Sequence, residues 1–356
     1  MPGSPGAEPA VRTVADAGER ELIARIRRRA PAAPAWVTVP IGDDAAVVEP
    51  LRHALVVLTT DALVEGVHFD RRLGSAADAG HRALAVNLSD LAAMGAEPRA
   101  ALLSLMLPTA LSLDEFDDLV DGFLTLAARH RVALVGGNVT RSPGPLVIDV
   151  TALGAAGRRR VLPRGGARPG DELFLSGSIG GAAAGLAWLR SQGRQPGDEP
   201  GEPEMRECVR RYRRPDARVR LGLLVGRTRA ASACVDLSDG LSDAVRQLAQ
   251  ASGVSAVLDA DAVPVDPGAQ AWFTSQGRDP LQAALHGGDD YELLFAVPSR
   301  RRRQFLATAR QARETSVTRV GVVEAGSGAR LRSGTQESAL SAGYEHFGSQ
   351  GGTGAS

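Results

Sequence analysis

Ala83-Leu84-Ala85-Val86-Asn87-Leu88-Ser89-Asp90-Leu91-Ala92-Ala93-Met94-Gly95-Ala96 decides how this chain is read. Small and apolar residues crowd both sides of one aspartate, and a glycine ends the run. The pattern predicts a helix from Ser75, its N-cap, to Met94, with Gly95 as the stop. Asp90 then sits mid-helix between Leu88 and Leu91, where aspartate has poor propensity and apolar neighbours. Outward from this helix, elements alternate. Ala100–Leu107 reads as a strand, and Ser112-Leu113-Asp114-Glu115 has capping-box spacing that opens a helix to about His130. Val132–Val135 reads as a buried strand running into Gly136-Gly137, and Leu146–Leu153 as another. Upstream, Val14–Arg29 is half apolar and half charged, as in a surface helix. Ala45–Val48 and Ala54–Thr59 read as a pair of strands.

Arg158-Arg159-Arg160 and the punctuation of Pro163, Gly165, Gly166, Pro169 and Gly170 mark a boundary near residue 160. The alternation then restarts. Strands are expected at Glu172–Ser176, Ser232–Asp236, Ala256–Leu258, Glu292–Val297 and Thr318–Val323. Helices are expected at Gly180–Ser191, Glu204–Arg213, Ala217–Thr228, Leu241–Ala251 and Ser299–Ala312. Both halves are therefore α/β or α+β. The expected domains are 14–158 and 159–347, between a disordered N-terminus (1–13) and a Gly/Ser/Thr tail (348–356).

Composition removes several function classes. The 356 residues carry 41 basic and 41 acidic side chains, so no net field favours nucleic acid or an anionic membrane. No apolar run approaches the roughly 20 residues of a membrane span. Residues 1–10 are rich in Pro, Gly and Ala with no apolar leader core, so a cytoplasmic location is expected. The two cysteines, Cys208 and Cys234, allow one disulfide at most and no zinc site by themselves; reduced thiols fit a cytoplasm. The chain has no lysine, every basic residue being arginine. Schiff-base catalysis, a P-loop lysine and the protein-kinase strand lysine are excluded. Phosphate, if handled, must meet arginine, backbone amides and metal ions.

Carboxylates collect at the ends of the expected strands: Asp43-Asp44, Asp61 after Thr59-Thr60, Asp236-Leu237-Ser238-Asp239-Gly240, and Gly287-Gly288-Asp289-Asp290-Tyr291-Glu292. Asp43-Asp44 and Asp61 adjoin apolar strands and Asp90 an apolar helix, where unpaired charge is costly. Converging carboxylates repel unless a cation compensates them. Oxygen donors from Asp and Thr suit Mg²⁺, a partner of phosphate substrates. The glycine-rich segments 136–141 and 176–181 each follow a strand and are expected to form turns offering amides to phosphate oxygens.

In this order the motifs resemble the thiamine-monophosphate kinase family. The resemblance rests on Ile41-Gly42-Asp43-Asp44, Thr59-Thr60-Asp61 with His68-Phe69, the 83–96 run, Gly136-Gly137, Arg164 ahead of Gly170-Asp171, the 236–241 and 287–293 segments, and Gly343-Tyr344-Glu345-His346-Phe347. It spans about residues 21–347. It implies an N-terminal α/β domain whose strands form a barrel across a homodimer, followed by a C-terminal α/β sandwich domain. It also implies ATP as co-substrate, several Mg²⁺ ions, and conversion of thiamine monophosphate to thiamine diphosphate, the last step of that biosynthesis, without a phosphoenzyme. No nucleic-acid or membrane partner is implied. Carried over by position, Asp44, Thr59, Thr60, Asp61, Asp90, Asn138, Asp236 and Asp239 match metal ligands. Gly137, Asn138, Arg164 and Ser238 match nucleotide contacts, and His68, Asp289 and Tyr344 match positions at the thiamine substrate.

The chain departs from the family pattern at four places. Asn138 replaces a metal-binding Asp, losing one negative charge; Asp289 replaces Glu, shortening its reach by a methylene. Ala244 stands where an acid is usual, with Asp243 one place early, and Val67 occupies an often polar site. Related enzymes fit less well. Selenophosphate synthetase needs an N-terminal Cys or Lys, and the hydrogenase-maturation enzyme a C-terminal Cys. The remaining alternatives are another ATP-dependent enzyme of the superfamily, built like aminoimidazole-ribonucleotide synthetase, and a Mg-nucleotide-binding homologue without turnover.

Overall fold

The computed structural model describes residues 11–191, 199–313 and 315–340. Tyr344, the tail at 348–356 and most of the expected disordered N-terminus lie outside the described residues. By its contacts the chain divides into two compact units. One comprises the residues up to Glu49, Thr60–Leu84 and Ala100–Thr151; the other comprises Pro50–Thr59, Ala85–Arg99 and the chain from Ala152 onward.

The N-terminal part opens with α1 (Val14–Arg29), bent at Gly18, whose φ of +73° leaves the helical region. Arg25 and Arg29 anchor it by ion pairs to Asp117, at 2.5 and 2.7 Å. Next come β1 (Val37–Val39), β2 (Val47–Val48), β3 (Ala54–Val64), α2 (Ala76–Ala93), β4 (Glu97–Pro108), α3 (Leu113–His130), β5 (Ala133–Ser142) and β6 (Val147–Gly157). Both helix starts follow the sequence expectation. The Ser75 hydroxyl accepts from the Asp78 amide at 3.1 Å, while Asp78 accepts from the Ser75 amide. Ser112 and Glu115 form a reciprocal capping box.

The expected pairing of Ala45–Val48 with Ala54–Thr59 is not formed. β2 pairs instead with β1, an element the sequence reading missed, as a short antiparallel ribbon. β3 continues to Val64 and joins a four-stranded sheet of order β3-β6-β4-β5, leaving β3 and β5 as its two edges. No closed barrel is formed by these four strands.

The remaining elements are β7 (Asp171–Ser176), α4 (Gly181–Ser191), α5 (Pro203–Arg213), α6 (Val219–Thr228), β8 (Ala233–Asp236), α7 (Leu241–Ser252), β9 (Ser255–Asp259), α8 (Pro267–Ser275), α9 (Pro280–His286), β10 (Leu293–Pro298), α10 (Arg302–Ala312), β11 (Val317–Glu324), β12 (Gly328–Ser333) and β13 (Gln336–Ala339). The strands form one mixed seven-stranded sheet, β13-β12-β9-β11-β7-β10-β8. Its pairings are antiparallel except β12 with β9. The apolar cluster of this unit includes Leu173, Leu175, Val235, Leu258 and Leu294 from strands, with Leu241, Val245, Leu248 and Leu285 from α7 and α9. Phe174 and Phe295 pack on Phe305 of α10, at ring separations of 5.0 and 5.3 Å. The fold is thus α/β in two units, and no helix among the described residues is long and apolar enough to cross a membrane.

α2 and α3 cross through two glycines. A Cβ on Gly80 would overlap the Leu119 carbonyl, and one on Gly122 would overlap the Ala77 carbonyl. Backbone cannot retreat as a side chain can, so the crossing tolerates no larger residue. Gly122→Ala is therefore expected to destabilise the protein by about 1–3 kcal/mol, the ordinary cost of overpacking. Chemical denaturation of the two proteins measures it, and equal midpoints would contradict the close-crossing account.

Candidate active site

Within the second unit, the C-terminal half of α2 delivers the run quoted at the outset. Ser89 is fully buried, and its hydroxyl donates to Asp236 Oδ2 at 2.7 Å, tying the helix to the end of β8. Asp90, its neighbour, accepts a hydrogen bond from the Thr59 hydroxyl. Burial pushes the Asp90 carboxyl above its usual range, while the Thr59 hydrogen bond and the charge of Arg164 pull the other way. Burial therefore makes the Asp90 charge costly despite a hydroxyl and a nearby guanidinium, and a divalent ion is the partner that would remove that cost.

Asp236 begins the turn Asp236-Leu237-Ser238-Asp239-Gly240, which leads into α7. The Ser238 hydroxyl donates to Asp239 Oδ2 at 3.0 Å. Gly240 closes the turn with φ +96°; a Cβ there would press on the carbonyl oxygens of Leu285 and Gly287 at 2.9 and 3.0 Å. The 287–292 segment lies alongside. The Asp289 amide donates to the Ser238 carbonyl at 2.8 Å, and the Tyr291 amide to the Leu237 carbonyl at 3.0 Å. The unit thereby brings Thr59, Asp90, Asp236, Ser238, Asp239 and Asp289 into one linked set, with exposed Arg164 acting on Asp90 by charge. Ser89 is the member that sequence reasoning left without a role. Its only signal was a hydroxyl inside an otherwise apolar helix face.

In the first unit, Thr60 on β3 shares its hydroxyl with Asp149 Oδ1, the Val150 carbonyl and the Thr151 hydroxyl of β6, at 3.1–3.2 Å. Asp61 is half-buried, whereas Asp44 and Asn138 are exposed. The burial cost expected for Asp43-Asp44 is not found: both aspartates are exposed, just ahead of the two-residue strand β2. His68 Nδ1 accepts from the Val64 amide at 3.1 Å, so a neutral ring carries its proton on Nε2.

Both glycine-rich segments differ from expectation. Gly136-Gly137-Asn138 is not a turn; it lies within β5, paired with Leu102, Leu103 and Ser104 of β4. Gly137, at φ +153°, is required by close approach, since a Cβ would overlap the Leu103 carbonyl. The 176–181 segment is a turn, but three of its amides already have protein acceptors, Gly177 on the Ser316 carbonyl, Ile179 on the Pro264 carbonyl and Gly180 on Asp290. The Asp290 carboxylate accepts from the Gly180 amide at 2.7 Å and the Ala182 amide at 3.3 Å, capping α4 from within the protein. Arg211 reaches Asp266, Asp290 and Glu292, Arg218 grips Glu292 with two nitrogens, and the Ser176 hydroxyl donates to Glu292 at 2.6 Å.

Among the described residues, no three His, Cys, Asp or Glu side chains converge as a metal-holding group. The oxygen donors of the second unit are instead the pairs Thr59–Asp90 and Ser89–Asp236, and their hardness and the cost of the Asp90 charge fit Mg²⁺. Both cysteines are free, and burial pushes both thiols up, which makes them unreactive.

Comparison with known proteins agrees with this geometry. Residues 42–156 match the family described as AIR synthase related protein, N-terminal domain, and residues 168–334 match its C-terminal domain. The chain belongs to the AIR synthase related proteins. The thiamine-monophosphate kinase of Salmonella typhimurium is 38% identical over 79% of this chain and 83% of its own length. The crystal structure of the Stenotrophomonas maltophilia thiamine-monophosphate kinase aligns with a TM-score of 0.76 at 37% identity, covering 88% of this chain and 94% of that one. A structure described as AaThiL complexed with AMPPCP and TMP aligns with a TM-score of 0.70 at 33% identity, over 88% and 93% of the two chains. Within the superfamily, this chain belongs to the thiamine-monophosphate kinases.

The capping acid beneath the site gives a pH signature. Burial pushes Asp290 up to about 7, against the opposing pull of Arg211 and the two amides. A carboxyl raised in the fold contributes stability that is complete below its unfolded value and is lost as pH rises through about 7. Each pH unit in that window removes at most about 1.4 kcal/mol. Asp290→Asn keeps an acceptor for α4 without the titration. Its Tm should therefore fall less than that of the wild type between mildly acidic and mildly alkaline buffer, and parallel curves would exclude the assignment.

Proposed function

We propose that this protein transfers the γ-phosphoryl group of ATP directly to the phosphate of thiamine monophosphate, giving ADP and thiamine diphosphate. What supports the proposal is the linked set Thr59–Asp90, Ser89–Asp236 and Ser238–Asp289, in a chain that shares its fold with a kinase-family relative described as complexed with AMPPCP and TMP. Two phosphorylated reactants repel, and the attacking oxygen is already ionised near neutral pH, so charge neutralisation and alignment matter more than a general base. Magnesium held by Asp44, Thr59, Thr60, Asp61, Asp90, Asn138, Asp236 and Asp239 would supply that neutralisation. Arg164 would add a permanent cation for the nucleotide, and Gly137, Asn138 and Ser238 take the same nucleotide-binding role. His68 and Asp289, with Tyr344, would hold the thiamine phosphate. A cytoplasmic location fits both substrates.

We further infer a homodimer that completes the metal set. Asp61 and Asn138 stand on opposite edge strands, three strand spacings apart, or about 14 Å along the sheet. Ligands of one Mg²⁺ lie about 2.1 Å from it, so these two residues of one chain cannot share an ion. The β3 edge also exposes Leu55, Val56 and Leu58, at 36%, 60% and 65%. An apolar edge with unpaired backbone groups invites a second strand. Pairing β3 of one copy with β5 of another would close a barrel and set Asp61 beside the other copy's Asn138.

Purified protein given ATP, Mg²⁺ and thiamine monophosphate is expected to form ADP and thiamine diphosphate, and to leave free thiamine unchanged; no diphosphate would overturn the proposal. Asp61→Asn and Asp90→Asn should each lower kcat by about a hundredfold or more with the fold intact, since a metal's charge stabilisation amounts to several kcal/mol. Asn138→Asp restores a negative ligand and should lower the Mg²⁺ concentration for half-maximal rate; an unchanged requirement would remove Asn138 from the metal set. Sedimentation should report a dimer, and a monomer with full activity would refute the shared site.

A further inference from the structure

We propose that Tyr291 is a positioning residue that aims the Asp289 carboxylate at the thiamine substrate. The inference deepens the kinase reading and rests on it. The Tyr291 hydroxyl donates to Asp289 Oδ1 at 3.2 Å, a long contact for two oxygens. Both residues hold positive φ, +70° at Asp289 and +49° at Tyr291, and Tyr291 is buried. A bulky side chain seldom occupies that region, and strain of this kind persists where surrounding structure imposes it, most often at functional sites.

Here the source of the constraint is visible. Residues 290 and 292 turn their carboxylates into the network that caps α4 and pairs with Arg211 and Arg218. Residues 289 and 291 instead meet each other, and their amides are stitched to Ser238 and Leu237. The Leu237 amide donates to the Glu292 carbonyl at 2.9 Å, closing the stitch from the other side. Aim therefore passes from the buried ion network, through the Tyr291 ring, to Asp289. An Asp carboxylate sits on a single methylene and has little reach of its own, so its direction is set by what holds the side chain.

The test is steady-state kinetics of the full-length protein, together with calorimetric binding of thiamine monophosphate to protein loaded with Mg²⁺ and a non-hydrolysable ATP analogue. Tyr291→Phe keeps the ring and removes the donor. It should raise KM and Kd for thiamine monophosphate about two- to tenfold, the worth of one net hydrogen bond, and leave KM for ATP unchanged, with the Tm lowered by no more than a few degrees. Tyr291→His, which retains a ring donor, should lie closer to wild type. Asp289→Asn combined with Tyr291→Phe should be no worse than Asp289→Asn alone. Equal shifts for both substrates, an unaffected thiamine constant, or additive losses in the double variant would each overturn the proposal. Wild-type protein that binds the nucleotide but no thiamine monophosphate would refute the kinase reading itself, and this assignment with it. Normal wild-type turnover with an unaltered Tyr291→Phe would remove the aiming role alone.

Discussion

A carboxylate with no exposed surface, Glu292, fixes the second unit. Arg211 of α5, Arg218 at the N-cap of α6 and one serine hydroxyl converge on it. An ion so buried is tolerable only if every lone pair is met, and loss of one partner in such an arrangement typically costs about 3–5 kcal/mol. The network thus locks the start of β10 against β7, α5 and α6. The segment just before it, 289–291, inherits that placement. That turn is held in register by the electrostatic knot behind it and by the amide hydrogen bonds of Asp289 and Tyr291 to Ser238 and Leu237.

Elements with strong local signals were legible in the sequence. α2 and α3 announce themselves by Ser75 and Ser112, and the central strands by aliphatic runs between glycines. What escaped were elements defined by partners. β1 is too short to carry a period, and β2, legible as a strand, was given the wrong partner because its pairing depends on Val37 and Val39 meeting Val48 and Val47. β13 is a polar edge strand and β12 a short strand beside it, and α8 and α9 are short helices whose starts are set by Asp266 and Asp279 caps with a following proline.

The same division runs through the site. Asp90 stood out as a charge out of place in a helix, and burial bears that out. The amides at 176–181 looked available because the acceptor of the Gly180 amide, Asp290, lies 110 residues away in the chain. Gly136-Gly137 looked like a turn because glycine pairs usually are; here Gly137 instead relieves a collision with Leu103 inside a sheet. Local sequence reports conformational need, and only the folded partner tells whether the need is a bend, a close approach or a ligand.

The two edges of the four-stranded sheet carry one further consequence. If catalysis draws Asp61 from one polypeptide and Asn138 from another, damage at these two positions is not equivalent to damage within a single polypeptide. Two defective versions, one altered at each place, would on mixing yield hybrid pairs in which both lesions fall in the same cleft. The other cleft of each hybrid would be wholly undamaged, so a population of inactive parents could generate working offspring by subunit exchange alone.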